Sequence, residues 1–161
     1  MMSLWIFLSF AIIAFISLYI LSRKTNVSTV LGNYFGANVL ITITGVIINI
    51  NLQLTKQSPT SHLIFWTQKI PELSLKPALL LWFIYFLFST RSNFSKCIHA
   101  VIFLTALVSI EIYFVHMKYL QWVNWNVFYS YLRYCLITLL LAIYTFYLKK
   151  LSLNDKEVRA I

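Results

Sequence analysis

The chain has only four carboxylates, Glu72, Glu111, Asp155 and Glu157, so acid–base chemistry would have to rest on very few groups. Asp155 and Glu157 stand near the C-terminal end, and Glu72 lies in a polar stretch between apolar runs. Glu111 alone sits well inside an apolar run. An ionisable side chain there is costly and calls for a partner. The next apolar run holds one charge, Arg133. The link between the runs is short, which predicts antiparallel helices. Measured from its centre, between Gln121 and Trp122, Glu111 and Arg133 are each about eleven residues away. At ~1.5 Å per residue both reach nearly the same depth. An arginine–carboxylate contact would then share the desolvation cost. The predicted pair has two roles open to it. It either fixes the register of two helices, or it acts as a gate or proton-linked switch in a polar cavity shared with Asn38, Thr42 and Asn49.

Other reactive groups are scattered. His99 and His116 fall at opposite ends of one run, some ~25 Å apart at helical rise, and His62 lies in a loop, so no shared metal is expected. Cys97 and Cys135 belong to no CxxC pair and read as small apolar core residues. Cys97 and His99 are two apart, which on a helix points them away from each other. The sequence carries no GxSxG, GxGD, HExxH or P-loop motif. Phe128, Tyr131 and Tyr134 read as packing and interfacial residues. No cofactor and no metal is expected, and an intramembrane enzyme is the least favoured class.

These groups must be positioned by apolar helices. Of 161 residues, 60% are hydrophobic, and 13 basic plus 4 acidic side chains are too few to coat a soluble domain of this size. A bilayer removes that difficulty, since surface facing lipid should be apolar. The pattern predicts an all-α, polytopic membrane bundle of five transmembrane helices at about 4–22, 31–54, 73–90, 97–117 and 127–148, followed by a short charged tail, 149–161. The first run has no basic residue before it and Arg23-Lys24 directly after it. A cleaved signal peptide would show the reverse order, so the run reads as a retained helix.

Segment 31–54 is the most polar. Asn38, Thr42, Gly45 and Asn49 follow i, i+4, i+7, i+11 and are predicted to share one packing face of a central helix. Gly32 and Gly36 form a GxxxG spacing on roughly the opposite face, suited to close helix contact. Residues 55–72 read as a polar outer loop, in which Leu63-Ile64-Phe65-Trp66 would lie along the interface. Lys76 is predicted to extend the third span by snorkelling to the surface. Pro77 suits a first helical turn. Tyr119, Trp122 and Trp125 read as an interfacial belt.

Five spans with the N-terminus outside put Arg23, Lys24, Arg91, Lys96, Lys149, Lys150, Lys156 and Arg159 on the cytoplasmic side. Lys56, Lys69, Lys76 and Lys118 fall outside, and this excess obeys the positive-inside rule. The same distribution explains the net charge of +9 as topology and contact with anionic lipid, not nucleic-acid binding. The expected function is a small non-enzymatic partner of another membrane component, of accessory, regulatory or immunity type, or one that forms a homo-oligomer. The alternative is a small transporter or ion-translocating subunit using the Glu111–Arg133 pair. Small size and compact loops point to a bacterial cytoplasmic membrane.

Overall fold

The computed structural model of the chain describes residues 2–57, 62–90 and 92–158, and the side chains of 4–56, 62–90 and 92–151. Arg91 and Arg159, and the side chain of Lys156, therefore lie outside the described residues. Six α-helices form: α1 Met2–Lys24, α2 Val27–Val46, α3 His62–Leu73, α4 Leu75–Ser89, α5 Asn93–His116 and α6 Val127–Val158. Two short strands, β1 Thr55–Gln57 and β2 Leu120–Trp122, pair antiparallel with Lys56 opposite Gln121. A π-helical turn, Ile47–Asn51, prolongs α2. Only Ser74 separates α3 from α4. Five helical units thus result: Leu4–Lys24, Val27–Asn51, His62–Ser89, Asn93–His116 and Val127–Leu151. Each is long and apolar enough to cross a membrane. The flanks of the bundle are apolar as well, with Trp5, Phe15, Ile43, Leu132, Leu139 and Phe146 all exposed.

Local chemistry sets the boundaries that differ from expectation. The second unit begins at Val27, before the predicted 31, because Asn26 caps it: its Oδ1 accepts from the Ser28 N–H at 3.1 Å. The tail predicted after 148 continues as helix to Val158. The outer loop is in part helical too. Leu63–Trp66 belongs to α3, whose Thr67, Gln68 and Pro71 are buried. The fold is all-α, and its two strands form only a three-residue ribbon. They arise where the α2–α3 and α5–α6 connections meet and satisfy each other's backbone, with Leu54 O also accepting from the Val123 N–H at 2.9 Å.

Two prolines inside the third unit do not end it. Ala78 N donates to Ser74 O at 3.1 Å and Ser74 N to Ile70 O at 3.0 Å, which carries the helix across the junction. Pro77 has no N–H, so Leu73 O loses its helical donor. The Tyr34 hydroxyl of α2 replaces it, donating at 2.6 Å.

The third unit, not the second, is the centre of the bundle. Its most apolar window is 50% buried, against 22% for the second unit. Leu80, Leu81 and Ile84 of α4 pack with Leu107 and Val108 of α5, and with Ile137 and Leu141 of α6. A helix that is apolar all round belongs inside. The inward face of α2 is Val30, Asn33, Ala37, Ile41 and then Ile48. Cys97 and Cys135 are both exposed on the exterior rather than in the core.

Gly32 and Gly36 do serve close contact, and the partner is α6. A Cβ on Gly36 would lie 2.8 Å from Tyr144 Cε1, and one on Gly32 would lie 3.0 Å from Leu148 Cδ1. Replacing Gly36 by Leu should wedge α2 from α6 and cost ~1–3 kcal/mol, the usual range for overpacking. Thermal unfolding in detergent would read this loss, and adding Tyr144→Ala should restore much of it. A Gly36→Leu chain as stable as wild type would show that this contact does not hold the helices together.

Candidate functional site

Glu111 stands on α5, one and a half turns from the helix end, and Arg133 stands on α6 at matching depth. Arg133 Nη1 donates to Glu111 Oε1 at 2.9 Å. Equal depth on antiparallel neighbours, read from spacing, thus brings the two side chains into contact. The contact is not bidentate. The remaining guanidinium nitrogens turn to α2: Nε donates to Thr44 Oγ1 and Nη2 to Ile41 O, each at 3.2 Å.

Two further groups reach the same carboxylate oxygen. The Tyr134 hydroxyl, next to Arg133 on α6 and fully buried, donates to Glu111 Oε1 at 2.7 Å. Lys76 Nζ of α4 lies 3.9 Å from Oε1, the long limit of an ion pair, and 5.8 Å from the centre of the Tyr134 ring. Lys76 therefore does not snorkel outward. It is 2% exposed and points into the bundle, because α3 continues the helix past it and leaves no nearby end to snorkel toward.

Lys69, Glu72 and Lys76 recur at i, i+3, i+7 and so lie on one helical face. Lys69 Nζ pairs with Glu72 Oε2 at 2.8 Å nearer the surface. Glu72, Lys76, Glu111 and Arg133 line one small chamber of about 40 Å³, with room for a few water molecules. Formally two positive and two negative groups, they sum to zero. Groups on α2, α4, α5 and α6 are tied together at one point.

The predicted polar face of α2 divides at this chamber. Gly45 and Asn49 line it, and a Cβ on Gly45 would meet Arg133 Nη2 at 3.6 Å. Asn49, in the π turn, accepts a hydrogen bond from the Thr55 hydroxyl of β1 through its Oδ1. Asn38 and Thr42 are not part of it. The Asn38 amide donates to Tyr34 O of its own helix at 2.9 Å, which removes any need for a neighbour. Thr42 is exposed, in an outer groove of about 580 Å³ that shares Gly45, Asn49, Thr55 and Glu72 with the chamber.

The ribbon side closes the chamber. Gln68 of α3 donates to Tyr119 O at 2.7 Å. Trp122 and Trp125, expected in an interfacial belt, both line the chamber. Trp125 Nε1 donates to Ser130 Oγ at 2.8 Å, and Trp122 Nε1 is a buried donor without an acceptor among the described residues. Lys76, Tyr134, Thr44 and Trp122 were not foreseen from the sequence as members of this cluster. The signal for Lys76 was present in its i+4 spacing from Glu72. The described residues contain no group of three His, Cys, Asp or Glu side chains that could hold a metal ion. His99 instead meets Ser95 O through Nδ1 at 2.6 Å and stacks on Phe86.

No family model, curated protein or solved structure matches this chain.

Removing Glu111 alone strands Arg133 and Lys76 together. Glu111→Gln should therefore destabilise the bundle by ~3–5 kcal/mol, the cost of breaking a buried ion pair from one side. The double variant Glu111→Gln, Arg133→Gln leaves Glu72 and Lys76 balanced at i, i+4 and should recover at least half of the lost membrane yield. A double variant no better than the single one would refute the pairing as the source of stability.

Proposed function

We propose that this chain is a small non-enzymatic multi-pass membrane protein that acts by associating with another membrane component. The observation that supports this reading is the engagement of Glu111. A carboxylate that loads and releases an ion must exchange its partners. Here Oε1 already meets Arg133, Tyr134 and Lys76. Such a cluster fastens helices together. What remains for action is a wide apolar flank, suited to contact within the membrane plane.

The orientation we propose has the N-terminus outside and the C-terminal end in the cytoplasm, in a bacterial cytoplasmic membrane. With Lys76 turned into the bundle, the basic residues outside fall to Lys56, Lys69 and Lys118, against eight on the cytoplasmic side. The inward lysine therefore strengthens the charge asymmetry on which the topology rests.

One observation favours a second reading, a small ion or proton carrier. The outer groove and the chamber share four residues, so a polar route leads close to Glu111.

Liposomes containing the purified chain and a pH-sensitive dye separate the two readings. The partner reading expects no proton flux above that of empty liposomes. It also expects photo-crosslinkers at exposed sites such as Leu132 and Leu139 to give one discrete adduct in native membranes. Flux that disappears in Glu111→Gln would replace it with the carrier reading. A C-terminal phosphatase fusion should be inactive; an active one would overturn the orientation.

A further inference from the structure

At the end of the bundle away from the charged chamber, α1, α2, α4 and α6 enclose a crevice of about 390 Å³. That volume is within the range of small-molecule sites, ~300–1,000 Å³. Leu21, Val30, Leu81 and Ile84 give it an apolar lining. Asn33 of α2 with Thr145 and Lys149 of α6 add polar groups to that lining.

Asn33 is the informative residue. It is 5% exposed, and its Oδ1 accepts from the Thr145 hydroxyl at 2.9 Å. That bond fixes which side of the amide faces α6. Among the described residues no acceptor takes the Asn33 Nδ2 hydrogens, and Asn33 lines the crevice. That edge of the amide opens onto the crevice, so an occupant that brings an oxygen to this depth gains a hydrogen bond from Asn33. One turn further along α6, about 6 Å at helical rise, Lys149 stands at the mouth. Its Nζ is 4.5 Å from the centre of the exposed Phe88 ring, free to turn toward an anion.

We propose that this crevice binds one anionic phospholipid. The phosphate meets Lys149, an ester carbonyl one glycerol unit deeper accepts from Asn33 Nδ2, and an acyl chain lies along Leu81, Ile84 and Val30. The match is one of charge and spacing together. Arg23, Lys24 and Lys150 surround the same end, so a headgroup with net negative charge is favoured over a zwitterionic one. The proposal rests on the membrane-spanning reading above and on the basic end facing the cytoplasmic leaflet.

The test uses the full chain. Alkaline extraction of membranes comes first, and the chain should remain in the pellet. Native mass spectrometry of the detergent-purified chain, titrated with phosphatidylglycerol or phosphatidylcholine, should then show one retained phosphatidylglycerol and little phosphatidylcholine. Lys149→Gln changes an exposed side chain and should lower that preference about fivefold, the effect of one basic residue near an anionic surface. Thr29→Trp, which fills the crevice from its rim, should abolish retention. Equal retention of both lipids, an unchanged preference in Lys149→Gln, or displacement of the lipid by inorganic phosphate would overturn the proposal. A chain stripped by alkali would sink the membrane reading along with it. One that stays in the pellet but shows no lipid preference would sink this proposal alone.

Discussion

One oxygen atom organises the charged end of this bundle. Glu111 Oε1 accepts from Arg133 and from Tyr134 and lies in ion-pair range of Lys76. Arg133 extends the connection to Thr44 and Ile41 of α2. Four helices are thereby fixed at one depth. In lipid there is little hydrophobic drive for helix to meet helix, because the acyl chains are as apolar as leucine. Specific position must come from close packing and from polar groups that have no alternative partner. Burying one ion costs several kcal/mol after relaxation. Each charge at this depth is therefore tolerable only while an opposite charge stays beside it, which makes the cluster a constraint on register rather than a simple sum of contacts.

The irregular backbone gathers around the same point. The π turn Ile47–Asn51, the ribbon of β1 and β2, and the Ser74 junction between Pro71 and Pro77 all lie toward this end of the bundle. Each irregularity has a local compensation. Tyr34 caps the carbonyl that Pro77 leaves open. Asn49 takes the Thr55 hydroxyl, and the ribbon pairs two connections that would otherwise leave their backbone groups unmet near apolar surroundings. Toward the other end the solution is different. Gly32 and Gly36 let α6 approach α2 directly, with Tyr144 and Leu148 filling the space a side chain would occupy.

The Glu111–Arg133 contact was legible in the sequence because depth depends only on counting residues along two regular helices joined by a short link. Lys76 was not. Whether a lysine snorkels depends on where its helix ends, and the sequence predicts a third span that begins at about 73, with Pro77 in its first turn, although the helix starts at His62. The face of α2 failed in a related way. A hundred-degree wheel assumes that polar residues seek neighbours, yet Asn38 turns back on its own backbone. The wheel also assumes an unbroken α-helix, and the π turn changes the register before Asn49 is reached. Asn33, the buried asparagine of the crevice, stood one turn before the residues singled out. It became visible only once Thr145 of α6 was seen to engage it.

The two ends therefore treat charge in opposite ways. Around the chamber the carboxylates are engaged within the fold, Glu111 by Arg133 and Lys76 and Glu72 by Lys69. Among the described side chains the opposite end holds Arg23, Lys24, Lys96, Lys149 and Lys150 and no carboxylate. Two of these cations lie over aromatic faces: Lys24 is 5.7 Å from the centre of the Trp82 ring, and Lys149 rests on Phe88. A cation over a ring keeps most of its charge unneutralised, at a gain of ~0.5–1 kcal/mol where exposed. In the orientation we propose, an anionic leaflet supplies the balance at that end, and the same field draws a headgroup toward the mouth of the crevice.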